Sequence, residues 1–193
     1  TRQIEVQERA REVKTVGRRA ASLLALVRPD TIGKLTPVDV LVFSHDVDRS
    51  EVLEGKAWGR IPDGVAQACQ NLGLTWNHVL HPFSMLGGQR AHGAPVVMNQ
   101  SWFRSRLASK FLSHDDDLGR ATRLFEEILR KAQPRIIFTV GLPEALACAA
   151  RNLEVPVVEI LHGKGYSDIP WEWDLREEVH LPTDVFALDD VSA

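Results

Sequence analysis

Short apolar, β-branched runs that each stop at polar or glycine-rich residues constrain this chain more than any other feature. The first is Val38-Asp39-Val40-Leu41-Val42-Phe43, which stops at Ser44-His45-Asp46. Four others follow: Leu74 to Leu80, Arg135 to Val140, Val155 to Leu161, and Asp184 to Leu188. A run that is apolar at successive positions suits a strand buried on both faces, as in a parallel sheet, because an exposed face would require alternation. Parallel strands need long crossovers, and segments with helical periodicity lie between the runs. Gly64 to Leu72 is one, opened by Pro62-Asp63 and closed by the C-cap chemistry of Asn71-Leu72-Gly73. Trp102 to Leu112 is a second. Asp117 to Lys131 puts Leu118, Ala121, Leu124, Phe125, Ile128 and Leu129 on one face, with Asp115, Asp116 and Asp117 favouring its N-terminus. Pro143 to Arg151 is a short Ala-rich helix with proline in its first turn. The expected fold is α/β: a Rossmann-like, open, mostly parallel sheet of about five strands flanked by helices.

Composition agrees with one folded domain. The chain has 193 residues, 44% hydrophobic and 25% charged, enough for a self-sufficient core without staples. Cys69 and Cys148 both lie in apolar helical contexts and suit buried thiols in a reducing compartment. No run of about 18 apolar residues is present to span a membrane. A net charge of −3 argues against a nucleic-acid partner bound through a broad basic face.

The charge is unevenly placed. Residues 1–28 carry seven basic and three acidic side chains, while the end of the chain from Asp168 onward is strongly acidic. Ile4, Ala10, Val13, Gly17, Ala20, Leu24 and Val27 recur at helical spacing, and Pro29-Asp30 ends the pattern. The expected layout is an N-terminal amphipathic helix and linker over residues 1–33, then the α/β domain over residues 34–193. Such a basic helix suits packing on the domain or a peripheral contact with an anionic membrane surface.

An open α/β sheet binds ligands beyond the carboxyl ends of its strands, where strand order reverses. The residues after each run therefore become the candidate site. They are His45, Asp46 and Arg49, then His81, then Gly141 and Glu144, then His162, Gly163, Lys164 and Tyr166, and finally Asp189 and Asp190. His162 stands out, because Gly163 and Gly165 allow tight turns and close approach to a ligand. A histidine titrates near neutral pH and so suits removal of a proton from a hydroxyl. Capping of the strand by His162 explains its position equally well. Glu159, inside an otherwise apolar run, either pairs with a basic group and helps shape the site or marks a sheet margin.

Other chemistries find little support. No G-x-G-x-x-G follows the first run, no G-x-x-x-x-G-K-[ST] occurs, and there is no G-x-S-x-G elbow. No cofactor is expected in this domain. Strand alternation keeps His78 and His81 from converging on a metal, and His114 with the three following aspartates suits a helix start.

The stretch from Pro156 to Gly163, with Gly165-Tyr166, Pro170, Leu181-Pro182, Asp184 and Phe186, resembles the acceptor-side half of bacterial surface-polysaccharide glycosyltransferases of the GT-B fold. The His-Gly turn also resembles that of CDP-glycerol glycerophosphotransferases. Ser44-His45, Asp48-Arg49, Gly55-Lys56, Arg60 to Asp63 and Leu72-Gly73-Leu74 resemble the first βαβ unit of such capsule and O-antigen enzymes. The likeness spans residues 38–190 in patches.

It implies a cytoplasmic enzyme of polysaccharide biosynthesis at the inner face of the cell membrane. The nucleotide-sugar donor would bind a second Rossmann-like domain beyond Ala193, and a glycan or lipid-linked saccharide acceptor would bind here. His162 would be the general base, with Gly163, Lys164, Tyr166, His45, Asp46, Arg49, Gly141 and Glu144 around the acceptor. Trp171 and Trp173 suit either stacking on a sugar ring or packing on the domain. A non-catalytic glycan- or partner-binding module and a sugar-nucleotide epimerase-type fold are the alternatives.

Overall fold

The computed structural model describes residues 29–45, 51–81, 91–112, 117–161 and 170–187. The expected N-terminal helix and membrane contact of residues 1–28 lie outside them. Five parallel strands form one sheet: β1 (Val40–Ser44), β4 (Trp76–Leu80), β5 (Ile136–Thr139), β6 (Val157–Ile160) and β7 (Asp184–Phe186). Their order is β4-β1-β5-β6-β7, and β2 (Glu51–Leu53) with β3 (Lys56–Trp58) makes a separate antiparallel hairpin. Four helices are described: α1 (Arg60–Asn71), α2 (Asn99–Leu112), α3 (Asp117–Ala132) and α4 (Glu144–Asn152). The domain is an α/β, Rossmann-like fold.

Each central strand alternates between two apolar layers. Leu41, Phe43, Val79, Ile137 and Val157 face a large cluster built with Phe125, Ile128 and Leu129 of α3 and Leu146 and Ala149 of α4. Val40 and Val42 face the other way, onto Cys69 of α1 and the half-buried Trp76, Ile136 and Phe138. Burial on both faces is why β1 shows no polar alternation in sequence. Phe43 and Phe125 are the largest fully buried side chains among the described residues, and they meet edge-on with ring centroids 5.7 Å apart. Both cysteines are free, and burial pushes both thiols above their ordinary pKa, away from the reactive thiolate form.

The structure departs from the sequence expectation at several places. Helix α1 starts at Arg60 instead of Gly64, because Gly59 is its N-cap and the buried Asp63 carboxylate accepts the Gly59 N–H at 2.6 Å. Pro62 is accommodated because it falls in the first turn, where no N–H is needed. The β2–β3 hairpin was not expected at all. Its two-residue loop, Glu54-Gly55, has φ of 50° and 76°, the positive pair that a type I′ turn requires. Glu-Gly is an unusual way to supply it. Finally, β7, one of the sheet's two edge strands, is exposed along its length, with Phe186 59% accessible. Among the described residues, no helix is long and apolar enough to cross a membrane.

The linker before β1 is tied into the fold through α2. The Asp30 carboxylate accepts the Gln100 and Ser101 N–H groups at 2.8 and 2.7 Å, and Thr31 Oγ1 accepts the Val97 N–H at 2.8 Å. The first-turn amides of α2 are thus satisfied by a residue 70 positions earlier. Asp30→Ala should destabilise the domain by about 1–2 kcal/mol, the usual value of a lost N-terminal cap. Urea denaturation should show a lower midpoint with an unchanged slope.

Candidate functional site at the carboxyl edge

The strand order defines the site. From β1 the chain passes outward to β4, then returns across β1 to β5, so connections leave in opposite directions between β1 and β5. That is the switch point where an open α/β sheet receives ligands. His45, exposed, follows β1 directly at this point. Gly141, which follows β5 after Val140, lies against it. Its φ is +77°, and a Cβ added there would stand 3.7 Å from His45 Nε2. The structure therefore brings together two of the expected site residues, His45 and Gly141.

Beneath His45 lies a second histidine. The His81 ring stacks on the His45 ring with centroids 4.2 Å apart and 26° between planes. His81 is buried at the end of β4, and its N–H is held by the Ser44 carbonyl at 3.1 Å. Burial, reinforced by the neighbouring His45, pushes its pKa down to about 3, against an opposing hydrogen bond to the Val140 backbone. His81 is thus neutral throughout the physiological range. It acts as a flat platform that links His45 to Phe43, whose ring lies 6.3 Å away. His78 has a different role: its Nε2 is 2.7 Å from Ser44 Oγ, and both side chains are buried. The pair is sealed from solvent, so it serves the sheet and not a reaction.

On the opposite side of Gly141 stands Glu159, the carboxylate embedded in β6. It is fully buried, and its Oε1 accepts the Gly141 N–H at 2.7 Å. The Leu142 N–H also bonds to this carboxyl. Thr139 of β5 is its neighbour in register, on the same face of the sheet. Burial pushes the Glu159 pKa up to about 8, outweighing the two backbone bonds and the attraction of Arg176. At neutral pH the group is mostly an uncharged acid. Glu159 lies inside the sheet, and its partners are backbone amides of the turn after β5.

Glu144, expected beside the acceptor, is paired with Arg176. It lies in the first turn of α4, and its Oε1 is 3.4 Å from Arg176 Nε. Asp46, Arg49, His162, Gly163, Lys164 and Tyr166 lie outside the described residues. His81 was among the expected edge residues, although its stacking on His45 depends on the β1–β4 register. One contributor escaped sequence reasoning. Arg176 carried no signal, because it reaches Glu144 only through the fold.

A groove of about 490 Å³ lies at the other end of the sheet, lined by Arg151, Glu154, Pro156, Glu178, Pro182 and Thr183. It is open, and the Arg151–Glu178 ion pair at 3.6 Å crosses it. It sits at the amino ends of β6 and β7, far in topology from the switch point, so the carboxyl edge is the better candidate. No protein-family model and no curated protein sequence matches this chain.

The Glu159 assignment has a consequence for stability. Below its ordinary pKa of 4.5 both folded and unfolded chains carry the proton. As pH rises from there to about 8, the unfolded chain releases it while the folded chain retains it, so folding becomes less favourable. His81 acts in the opposite sense but only below its ordinary value of 6.5, where the unfolded chain gains a proton. Between about pH 6.5 and 8 the Glu159 contribution therefore stands clear of it. Wild-type protein should lose on the order of 1–2 kcal/mol more across that window than Glu159→Gln. Urea denaturation of both proteins at the two pH values measures the difference.

Proposed function

We propose that this domain is the acceptor-side half of a glycosyltransferase that builds a cell-surface polysaccharide. In this reading a histidine at the carboxyl edge takes the proton of the acceptor hydroxyl as that oxygen attacks the anomeric carbon of a nucleotide sugar. The observation that carries the reading is the exposed His45 imidazole at the β1/β5 switch point, backed by His81 and flanked by the Gly141 turn. An acceptor needs polar contacts held in a fixed orientation, and stacking on a buried neutral ring holds the His45 imidazole ready to make one.

Within this scheme His162 is the general base and His45 is an acceptor contact on the facing wall. Asp46 and Arg49 follow His45 in sequence, and Gly163, Lys164 and Tyr166 follow His162. The donor nucleotide belongs to a second Rossmann-like domain. Contact with the membrane, where a lipid-linked acceptor would lie, is assigned to the basic residues 1–28.

In the full-length protein, His162→Ala should lower turnover by ~10²–10⁴ with the circular dichroism spectrum unchanged. His45→Ala should raise the acceptor KM more than it lowers kcat. A His162→Ala protein with full activity would remove that residue from the chemistry. Glycan binding without any transfer would favour the non-catalytic module instead.

A further inference from the structure

The turn between β5 and α4 is built like an anion site. Gly141, in the left-handed region, turns its N–H inward, Leu142 follows, and α4 begins at Glu144 without a side-chain cap at Pro143. In doubly wound folds such a strand-to-helix turn is where phosphate oxygens meet free amides and the positive end of a helix. Here the amides are already engaged. Gly141 N–H bonds to Glu159 Oε1 at 2.7 Å, and the Leu142 N–H bonds to the same carboxyl.

The surroundings carry more polar capacity than this one group uses. Glu159 Oε2, Thr139 Oγ1 and Arg176 Nη1 are buried atoms, and none has a hydrogen-bond partner among the described residues. Glu159 and Thr139 are both fully buried and adjacent in register. Two amides, a hydroxyl and a guanidinium N–H form a donor set for anion oxygens, and the Glu159 carboxyl stands among them.

We infer that Glu159 is a built-in plug of the phosphate position, so that this edge receives the uncharged hydroxyls of its ligand and excludes a phosphate from the β5–α4 turn. The plug works in either protonation state, since both forms fill the turn and accept the Gly141 N–H. The inference rests on the acceptor-site reading above for the nature of the ligand, whereas the plug itself is a property of this turn. It also accounts for a division of labour. A nucleotide donor brings phosphates, and those must be held by another part of the enzyme.

The probe is inorganic phosphate, titrated into ¹⁵N-labelled full chain at neutral pH. In the wild type the Gly141 and Leu142 amide resonances should stay still. In Glu159→Ala they should shift and saturate, with phosphate affinity at least about tenfold above wild type. Adding Arg176→Ala should weaken that gain. Glu159→Gln, which keeps the turn filled, should behave as wild type. A wild type that binds phosphate through these amides overturns the proposal, and so does a folded Glu159→Ala that does not.

If Glu159→Ala fails to fold, Glu159→Asp provides the test. The shorter side chain retracts from the turn, so Gly141 amide exchange should accelerate at least about tenfold relative to the average of β5. Unchanged protection would overturn the plug. Failure of the transferase reading looks different. A fully active His162→Ala alongside a phosphate-binding Glu159→Ala would leave the plug standing and remove only the catalytic assignment.

Discussion

The hydrogen bond from Gly141 N–H to Glu159 is the constraint on which the carboxyl edge depends. It spans 18 residues and joins the middle of β6 to the turn that ends β5. A carboxyl placed wholly inside an α/β core costs several kcal/mol unless it is neutral or well bonded, and here both remedies operate. Burial favours the protonated form, and two backbone amides of the turn supply partners. In return the turn is fixed with Gly141 in the left-handed region, where a Cβ would stand 3.7 Å from the His45 ring. The position of the exposed imidazole therefore follows from a buried acid on the far side of the same glycine.

The histidines repeat this logic on the other flank. His81 is neutral because it is buried, and being neutral it can stack against His45 without charge repulsion. It is in turn packed toward Phe43, which belongs to the large apolar cluster with α3 and α4. A continuous line of contacts thus runs from the hydrophobic core through an uncharged imidazole to the solvent-exposed one. Preorganisation of this kind is what a site needs to hold a ligand group in a defined orientation.

The central strands were legible because they are buried on both faces, which leaves an apolar run too continuous to mistake for a solvated strand. The same runs locate the strand ends, and His45 and Gly141 lie just beyond the ends of β1 and β5. What was not legible depended on partners distant in the chain. Asp30 looked like the end of a preceding helix, yet its carboxylate caps α2. Glu144 looked like a ligand contact, and its partner Arg176 is 32 positions later, brought close by the segment between β6 and β7. The Glu54-Gly55 turn was hidden because Glu rarely adopts positive φ. Glu159 was recognisable as anomalous, but its protonation state is set by the depth of β6 and by the Gly141 turn that the fold brings to it, neither of which local sequence encodes.

The most direct measurement is a ¹³C titration of the Glu159 side-chain carboxyl, followed together with the Gly141 amide resonance. The account predicts a single transition near pH 8 that both nuclei report, because the acid and the turn are one unit. A Glu159 carboxyl that titrates near its ordinary 4.5, with the Gly141 amide unaffected, would contradict it.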